Sequence, residues 1–336
     1  MLLFFKMIFI MLTITGTLIT ISAQSWMSMW MGLEINLLSI IPLLTSSMNT
    51  KSTEASIKYF ITQVMASNIF LIVIIMYLNN VEQTAWQKSF NLILESALLT
   101  KMGAAPFHLW LPEVMKGLTW MNCLIMLTWQ KIAPMVILIN LVKPNLFTNL
   151  AIVSSVAIGS ILGFNQTNLK KIMAYSSINH MGWMMSTMYS SASLWLLYFV
   201  IYSVISVNII LILEKMNLDQ ISKMSTFTPW NKMNNLFFSM NFFSLGGIPP
   251  FLGFLPKWLT IKMLMESYQA MLAAVMIIFT LIALFFYLRL TFSSITIESS
   301  INSKFINQGA KMNCSVWMIN FWSITALILT PAILNI

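Results

Sequence analysis

Glu34, Lys101, Lys131 and Lys257 each stand inside an apolar stretch about as long as a bilayer is thick. A charge at the centre of a bilayer costs about 2.5–3.5 kcal/mol on insertion scales. Four such charges in four separate stretches imply a path for an ion, most economically a proton. Lysine suits proton carriage. A desolvated ammonium lets its proton go more readily, a nearby carboxylate holds it on, and arginine cannot release one. Glu34 lies in Gly32-Leu33-Glu34-Ile35-Asn36, and Lys131 in Thr128-Trp129-Gln130-Lys131-Ile132-Ala133-Pro134. His108 and His180 add imidazoles, which ordinarily titrate near neutral pH. His108 is read as a relay or gate residue. His180, in Asn179-His180-Met181-Gly182, is either a relay member or a hydrogen-bonded core residue.

These residues need elements that hold them in hydrocarbon. The chain is 58% hydrophobic and 8% charged, against about 25% charged in soluble domains, so it reads as an all-α polytopic membrane protein. A span needs about 20 apolar residues. Eleven segments fit, near 2–22, 26–45, 57–78, 90–112, 118–142, 146–164, 169–190, 194–214, 235–262, 268–292 and 313–335. The first is read as a span and not as a removable leader, because no small-residue cleavage site follows it. Basic residues gather at the N-terminus and in loops after even-numbered spans, such as Lys51, Lys58, Lys116, Lys170, Lys171 and Lys215. The other face holds Lys88, Lys143 and Lys262. Positive residues stay inside, which places the N-terminus on the cytoplasmic or matrix side and the C-terminus opposite.

One motif occurs twice. Pro106-Phe107-His108-Leu109-Trp110-Leu111-Pro112 and Pro250-Phe251-Leu252-Gly253-Phe254-Leu255-Pro256 both read P-F-x-x-x-L-P. Each follows small residues, Gly103-Ala104-Ala105 and Gly246-Gly247-Ile248-Pro249. Five spans apart, the two motifs imply inverted repeats over 1–142 and 146–292, each with one broken helix, and a C-terminal helix over 313–335 outside the repeat. Pro106, Pro249 and Pro250 remove backbone donors and clash with carbonyls one turn earlier. Inside a membrane the freed carbonyls find partners only in protein or water, so each break is expected to mark a hydrated spot.

Several classes are excluded. The basic residues are scattered, so the net charge of +9 is no nucleic-acid footprint. Neither a P-loop nor a dinucleotide-binding glycine motif occurs. Two cysteines, Cys123 and Cys314, and two histidines cannot frame an iron–sulfur cluster or haem. Glu95, near the start of the fourth span, is read as reaching the interface. Lys170 and Lys171 are read as orientation signals without further role. Trp26, Trp30 and Trp258 are read as interfacial anchors.

The quoted stretches, with Ser52-Thr53-Glu54-Ala55-Ser56, Gly163-Phe164-Asn165-Gln166-Thr167 and Pro256-Lys257-Trp258, resemble the antiporter-like membrane subunits of NADH–ubiquinone oxidoreductase, respiratory complex I, in their mitochondrially encoded animal form. The Met-rich texture, with 29 Met, looks insect-like. The first 20 residues and the last fifth match only in hydrophobicity. The resemblance implies a sodium/proton-antiporter-like fold of fourteen spans with three N-terminal spans missing. It implies proton carriage by Glu34, Lys101, Lys131 and Lys257. It also implies a multi-pass protein of the mitochondrial inner membrane, with a matrix-side N-terminus and an intermembrane-space C-terminus. Implied partners are neighbouring membrane-arm subunits, including other antiporter-like ones, and lipid such as cardiolipin. No cofactor is expected in this chain; NADH, FMN, iron–sulfur clusters and ubiquinone belong to the rest of such a complex. Glu95 falls outside the family pattern. Two rival readings are a stand-alone cation/proton antiporter, which should show a midplane carboxylate cluster, and a membrane scaffold, which leaves the buried charges unexplained.

Overall fold

The computed structural model describes residues 2–45, 49–79, 84–216, 218–222 and 232–296. Apart from an isolated β-bridge between Asn168 and Gln220, every regular element among them is a helix. The chain divides into two compact units, Met1–Ala151 and Ile152–Ile336. The expected C-terminal span, 313–335, and Cys314 lie outside the described residues.

The first unit holds α1 (Leu2–Ser22), α2 (Trp26–Leu44), α3 (Thr50–Asn79), α4 (Thr84–Met102), α5 (Trp110–Gly117), α6 (Trp120–Leu127) and α7 (Trp129–Leu141). Helix α8 (Leu146–Phe164) leads into the second unit, with α9 (Leu169–Met188), α10 (Ala192–Lys215), α11 (Lys232–Gly246), α12 (Phe254–Glu266) and α13 (Ala270–Thr296). Polar side chains start several of them: Ser25 accepts from Ser28 N, Asn168 from Lys170 N and Ser191 from Leu194 N, satisfying donors that a helix start leaves open.

Seven stretches among the described residues are long and apolar enough to cross a membrane: Phe4–Ser22, Trp26–Leu44, Thr50–Leu78, Trp120–Leu141, Leu146–Phe164, Ala192–Lys215 and Ala270–Phe292. The expected fourth and ninth spans are divided by their breaks into α4 and α5, and α11 and α12. The expected seventh, α9, is rich in polar residues. It is nonetheless buried along almost its whole length, which is where Ser176, Ser177, Asn179 and His180 find cover.

Small residues set the closest approaches, as they do between membrane helices. A Cβ on Gly16 of α1 would lie 2.8 Å from Asn36 N of α2. In the second unit a Cβ on Gly159 would meet Asn179 N at 2.7 Å. The segment 118–142, expected as one helix, is interrupted at Thr128, where the backbone turns to φ −112°, ψ −73°. Pro134 explains it: its ring crowds the carbonyl of Gln130 and offers no donor to it. The turn before tightens, so that Lys131 N donates to Thr128 O, three residues back, at 3.2 Å.

Two expectations are corrected here. Lys170 is more than an orientation signal: it is 8% exposed and pairs with Asp219 at 2.8 Å. The pair fastens the segment before α9 to residues 219–221, where Leu169 N donates to Asp219 O and Ile221 N to Thr167 O. Glu95 does not reach the interface; it is 1% exposed.

Candidate functional site: two helix breaks and their lysines

The first break ends α4. Gly103 takes φ +72°, a conformation glycine adopts without steric cost. Gly103 N donates to Thr100 O at 3.2 Å and Ala104 N to Leu99 O at 3.0 Å. This pair of bonds is the Schellman closure of a helix C-terminus. The chain then passes through a cis Ala105–Pro106 bond and resumes as α5. Neutral side-chain donors also meet the carbonyls of the last turn. Trp110 Nε1 donates to Thr100 O at 3.0 Å and Gln63 Nε2 of α3 to Lys101 O at 3.3 Å. His108, 5% exposed, folds its Nδ1 onto Pro106 O at 3.2 Å. Its imidazole therefore braces the loop.

Lys101, 8% exposed, opens onto a cavity of about 20 Å³ lined by Leu33, Asn36, Tyr59, Gln63, Gln130 and Pro134, among others. A water needs about 10–15 Å³ and polar partners; this cavity offers both. Its polar wall is a chain of neutral groups: Tyr59 OH donates to Gln130 Oε1 at 3.3 Å, and Gln130 Nε2 to Asn36 Oδ1 at 3.0 Å. Glu34 is half-buried on α2, the helix that supplies Leu33 and Asn36 to this cavity. No ion pair of 4.0 Å or less joins it to Lys101. Lys131, 1% exposed, follows Gln130 on the first turn of α7.

The second break repeats the backbone closure with different capping. Gly247 takes φ +77°; its N–H donates to Ser244 O at 3.0 Å, and Ile248 N donates to Phe243 O at 3.3 Å. A cis Pro249–Pro250 bond follows. Here the open carbonyls belong to Leu245 and Gly246, and the Lys257 ammonium donates to both, at 3.3 and 2.7 Å. A cation at a helix C-terminus also meets the negative end of the helix dipole. The ammonium lies 5.9 Å from the Trp183 ring centroid. A Cβ on Gly247 would stand 2.8 Å from Lys257 Cδ, so the glycine provides both the turn and the room for the lysine. Also in this unit, His180 is hydrogen-bonded at 3.0 Å to Tyr198 OH and lies 5.1 Å, centroid to centroid, from Tyr202.

The model of the family described as NADH:quinone oxidoreductase/Mrp antiporter, TM, matches residues 23–283. The chain belongs to this family. It is 45% identical over 331 residues, 97% of each chain, to the NADH-ubiquinone oxidoreductase chain 2 of Aedes aegypti, and 43% identical over the same shares to that of Anopheles gambiae. Its similarity to the mouse protein of the same name is 42% over 307 residues, 88% of each. Among solved structures, a chain of respiratory complex I from Thermus thermophilus superposes with TM-score 0.86 at 20% identity, covering 99% of this chain and 80% of that one. A chain of the Mrp complex from Dietzia sp. superposes with TM-score 0.79 at 14% identity, covering 97% and 75%. At those identities the likeness is one of fold.

Within this family fold, sequence reasoning located both breaks and their lysines but gave no role to Asn36, Tyr59, Gln63 or Gln130. Two of these lie inside stretches already singled out, Asn36 two residues after Glu34 and Gln130 beside Lys131, and Tyr59 follows Lys58. Gln63 carried no signal, because only the folded α3 brings it to Lys101 O. Gly253 was likewise missed. A Cβ there would land on Ser244 O, so it lets the start of α12 lie against the end of α11.

Proposed function

We propose that the chain is a proton-translocating membrane-arm subunit of respiratory complex I, in which NADH-to-ubiquinone electron transfer elsewhere drives protons through it. The observation that carries the reading is the water-sized, lysine-lined cavity beside the first break. An ammonium and a water-sized polar cavity lie within a chain whose neighbouring helices cross hydrocarbon. Supporting it are the family and the names of its relatives. Glu34, Lys101, Lys131 and Lys257 carry the proton, with His108 and His180 as auxiliary groups. Glu34 acts as the counter-charge of Lys101. The chain supplies no redox centre and binds no cofactor of its own.

The finer architecture belongs to the same proposal: eleven spans, with 1–142 and 146–292 as inverted repeats whose broken helices are related by Gly103 and Gly247. The repeat is supported by the identical closure of both breaks. The protein lies in the mitochondrial inner membrane, N-terminus to the matrix, beside other antiporter-like subunits and anionic lipid such as cardiolipin.

Lys131→Met tests the relay, because it keeps the side chain's length and removes its charge. Complexes carrying it are expected to assemble normally, as judged by blue-native electrophoresis with NADH-oxidising activity in the gel, and to translocate fewer protons per electron. An unchanged proton-to-electron ratio would remove Lys131 from the path. Migration of the chain apart from any NADH-oxidising assembly would favour the stand-alone antiporter. Glu34→Gln is expected to slow proton transfer with little loss of assembly.

A further inference from the structure

Glu95 is a charge-bearing residue that neither the lysine series nor the helix breaks use. It is 1% exposed, and neither carboxyl oxygen has a hydrogen-bond partner among the described residues. One turn earlier on α4, Asn91 Oδ1 accepts the Tyr77 hydroxyl of α3 at 3.0 Å, and the Tyr77 ring packs 5.7 Å from Phe90. Residues four apart share a helix face, so Glu95 follows Asn91 on the side of α4 turned to α3. The two helices run antiparallel, as the Tyr77–Asn91 and Gln63–Lys101 bonds require. The α3 residues at its level are therefore Phe70, Val73 and Ile74, all hydrocarbon and all 3% exposed or less.

The titratable groups on the packed elements are accounted for. On α3, Tyr77 is bonded to Asn91, Tyr59 to Gln130, Lys58 pairs with Glu54 and Glu113 at the exposed end, and Lys51 at the same end is exposed. On α7 stands Lys131, and on α4 itself Lys88 and Lys101. Among the described residues, none of these groups forms an ion pair of 4.0 Å or less or a hydrogen bond with Glu95. An ionised carboxylate buried without a partner carries a penalty of several kcal/mol. A neutral acid escapes most of it.

We propose that Glu95 is a proton-holding carboxylic acid, a further protonation site of the first unit. It lies about 9 Å along α4 from Lys101, at 1.5 Å per residue, toward the Thr84 end. The assignment does not depend on the lysines pumping. It predicts a modification site for apolar carbodiimides, which react with un-ionised carboxyls in hydrocarbon. The acid proton passes to a carbodiimide nitrogen and the carboxyl oxygen bonds to its central carbon. The resulting O-acylisourea rearranges to a stable N-acylurea, with no oxidation and no leaving group.

The test uses the intact complex in its native membrane. After treatment with dicyclohexylcarbodiimide and digestion, the adduct is expected on Glu95, several-fold above any on the exposed, lysine-paired Glu54 and Glu113. In infrared spectra the carbonyl band of an un-ionised carboxyl is expected to disappear in Glu95→Gln. An unmodified Glu95, or a carboxyl band that the substitution leaves unchanged, would overturn the proposal and point instead to an ionised Glu95 paired with a cation from a neighbouring subunit. Labelling of the unaltered protein decides the question even if the variant fails to assemble.

Discussion

The two helix breaks share a backbone and differ in what closes them. Each ends in a left-handed glycine with the same two closing bonds, Gly103 and Ala104 in one, Gly247 and Ile248 in the other. In the first, a neutral amide and an indole hold carbonyls of the last turn, and the lysine side chain faces a cavity. In the second, the lysine itself holds them. An ammonium committed to two carbonyls serves structure and charge at once, whereas one beside a water-sized cavity is free to exchange. The expectation that both breaks are hydrated thus applies in different ways: the first break has room for water, and the second meets the same need with Lys257.

The largest expected effect tests how tightly the second break is closed. Gly253→Ala places a methyl group on Ser244 O, where neither helix can yield without parting α11 from α12. Overpacking of this kind typically costs about 1–3 kcal/mol, occasionally more. The assembled complex is expected to be largely lost, read as the intensity of the NADH-oxidising band in blue-native gels. Gly103→Ala should be milder, because its Cβ would meet only side-chain atoms of Leu111 and Trp110, at 3.2 Å. There the strain is mainly the left-handed backbone, about 1–2 kcal/mol. Equal losses for the two variants would argue against a tighter second break.

Next comes the contrast between the lysines. Lys257→Met leaves the carbonyls of Leu245 and Gly246 without their donor, and a buried orphan costs about 1–3 kcal/mol. Both assembly and proton transfer should fall. Lys101→Met removes no cap, since Gln63 and Trp110 remain, so assembly should hold while proton transfer falls. Proton-to-electron ratios, set beside the amount of assembled complex, separate the two. If Lys101→Met proves as damaging to assembly as Lys257→Met, the division between capping and exchanging lysines is wrong.

Those contrasts also show what the sequence made legible. Pro106 and Pro250 with their preceding glycines announced both breaks, because proline and left-handed glycine act locally and read in one dimension. The four intramembrane charges stood out because hydrocarbon penalises them wherever they fall. What stayed hidden was pairing across helices. Gln63 reaches Lys101 O only because α3 and α4 run antiparallel in one register. Lys170 finds Asp219 only after α9 and α10 have brought the chain back. Glu95 looked interfacial by its place in the sequence, yet the fold buries it. The interruption at Thr128 escaped notice because its cause, Pro134, sits six residues away.

The smallest expected effect probes the neutral chain that walls the first cavity. Tyr59→Phe removes the hydroxyl that donates to Gln130 Oε1 at 3.3 Å and leaves the ring against Trp110, 5.7 Å between centroids. The bond is long, and losing one such neutral bond costs about 0.5–1.5 kcal/mol, too little to affect assembly. Gln130 Oε1 lines the cavity and would turn to water once the hydroxyl is gone. Water taking the hydroxyl's place would preserve the polar link between Asn36 and the Lys101 cavity at somewhat lower order. Proton transfer is therefore expected to slow without stopping, with normal assembly. The matching change in the second unit, Tyr198→Phe, deprives His180 Nδ1 of its partner in a helix buried on nearly all sides, where water has less access to replace it. A larger loss there than at Tyr59 sharpens the contrast between a hydroxyl beside a water-sized cavity and one bonded to a buried imidazole. A complete block in Tyr59→Phe would mean instead that the hydroxyl itself passes the proton, and that the wall of the first cavity is part of the path.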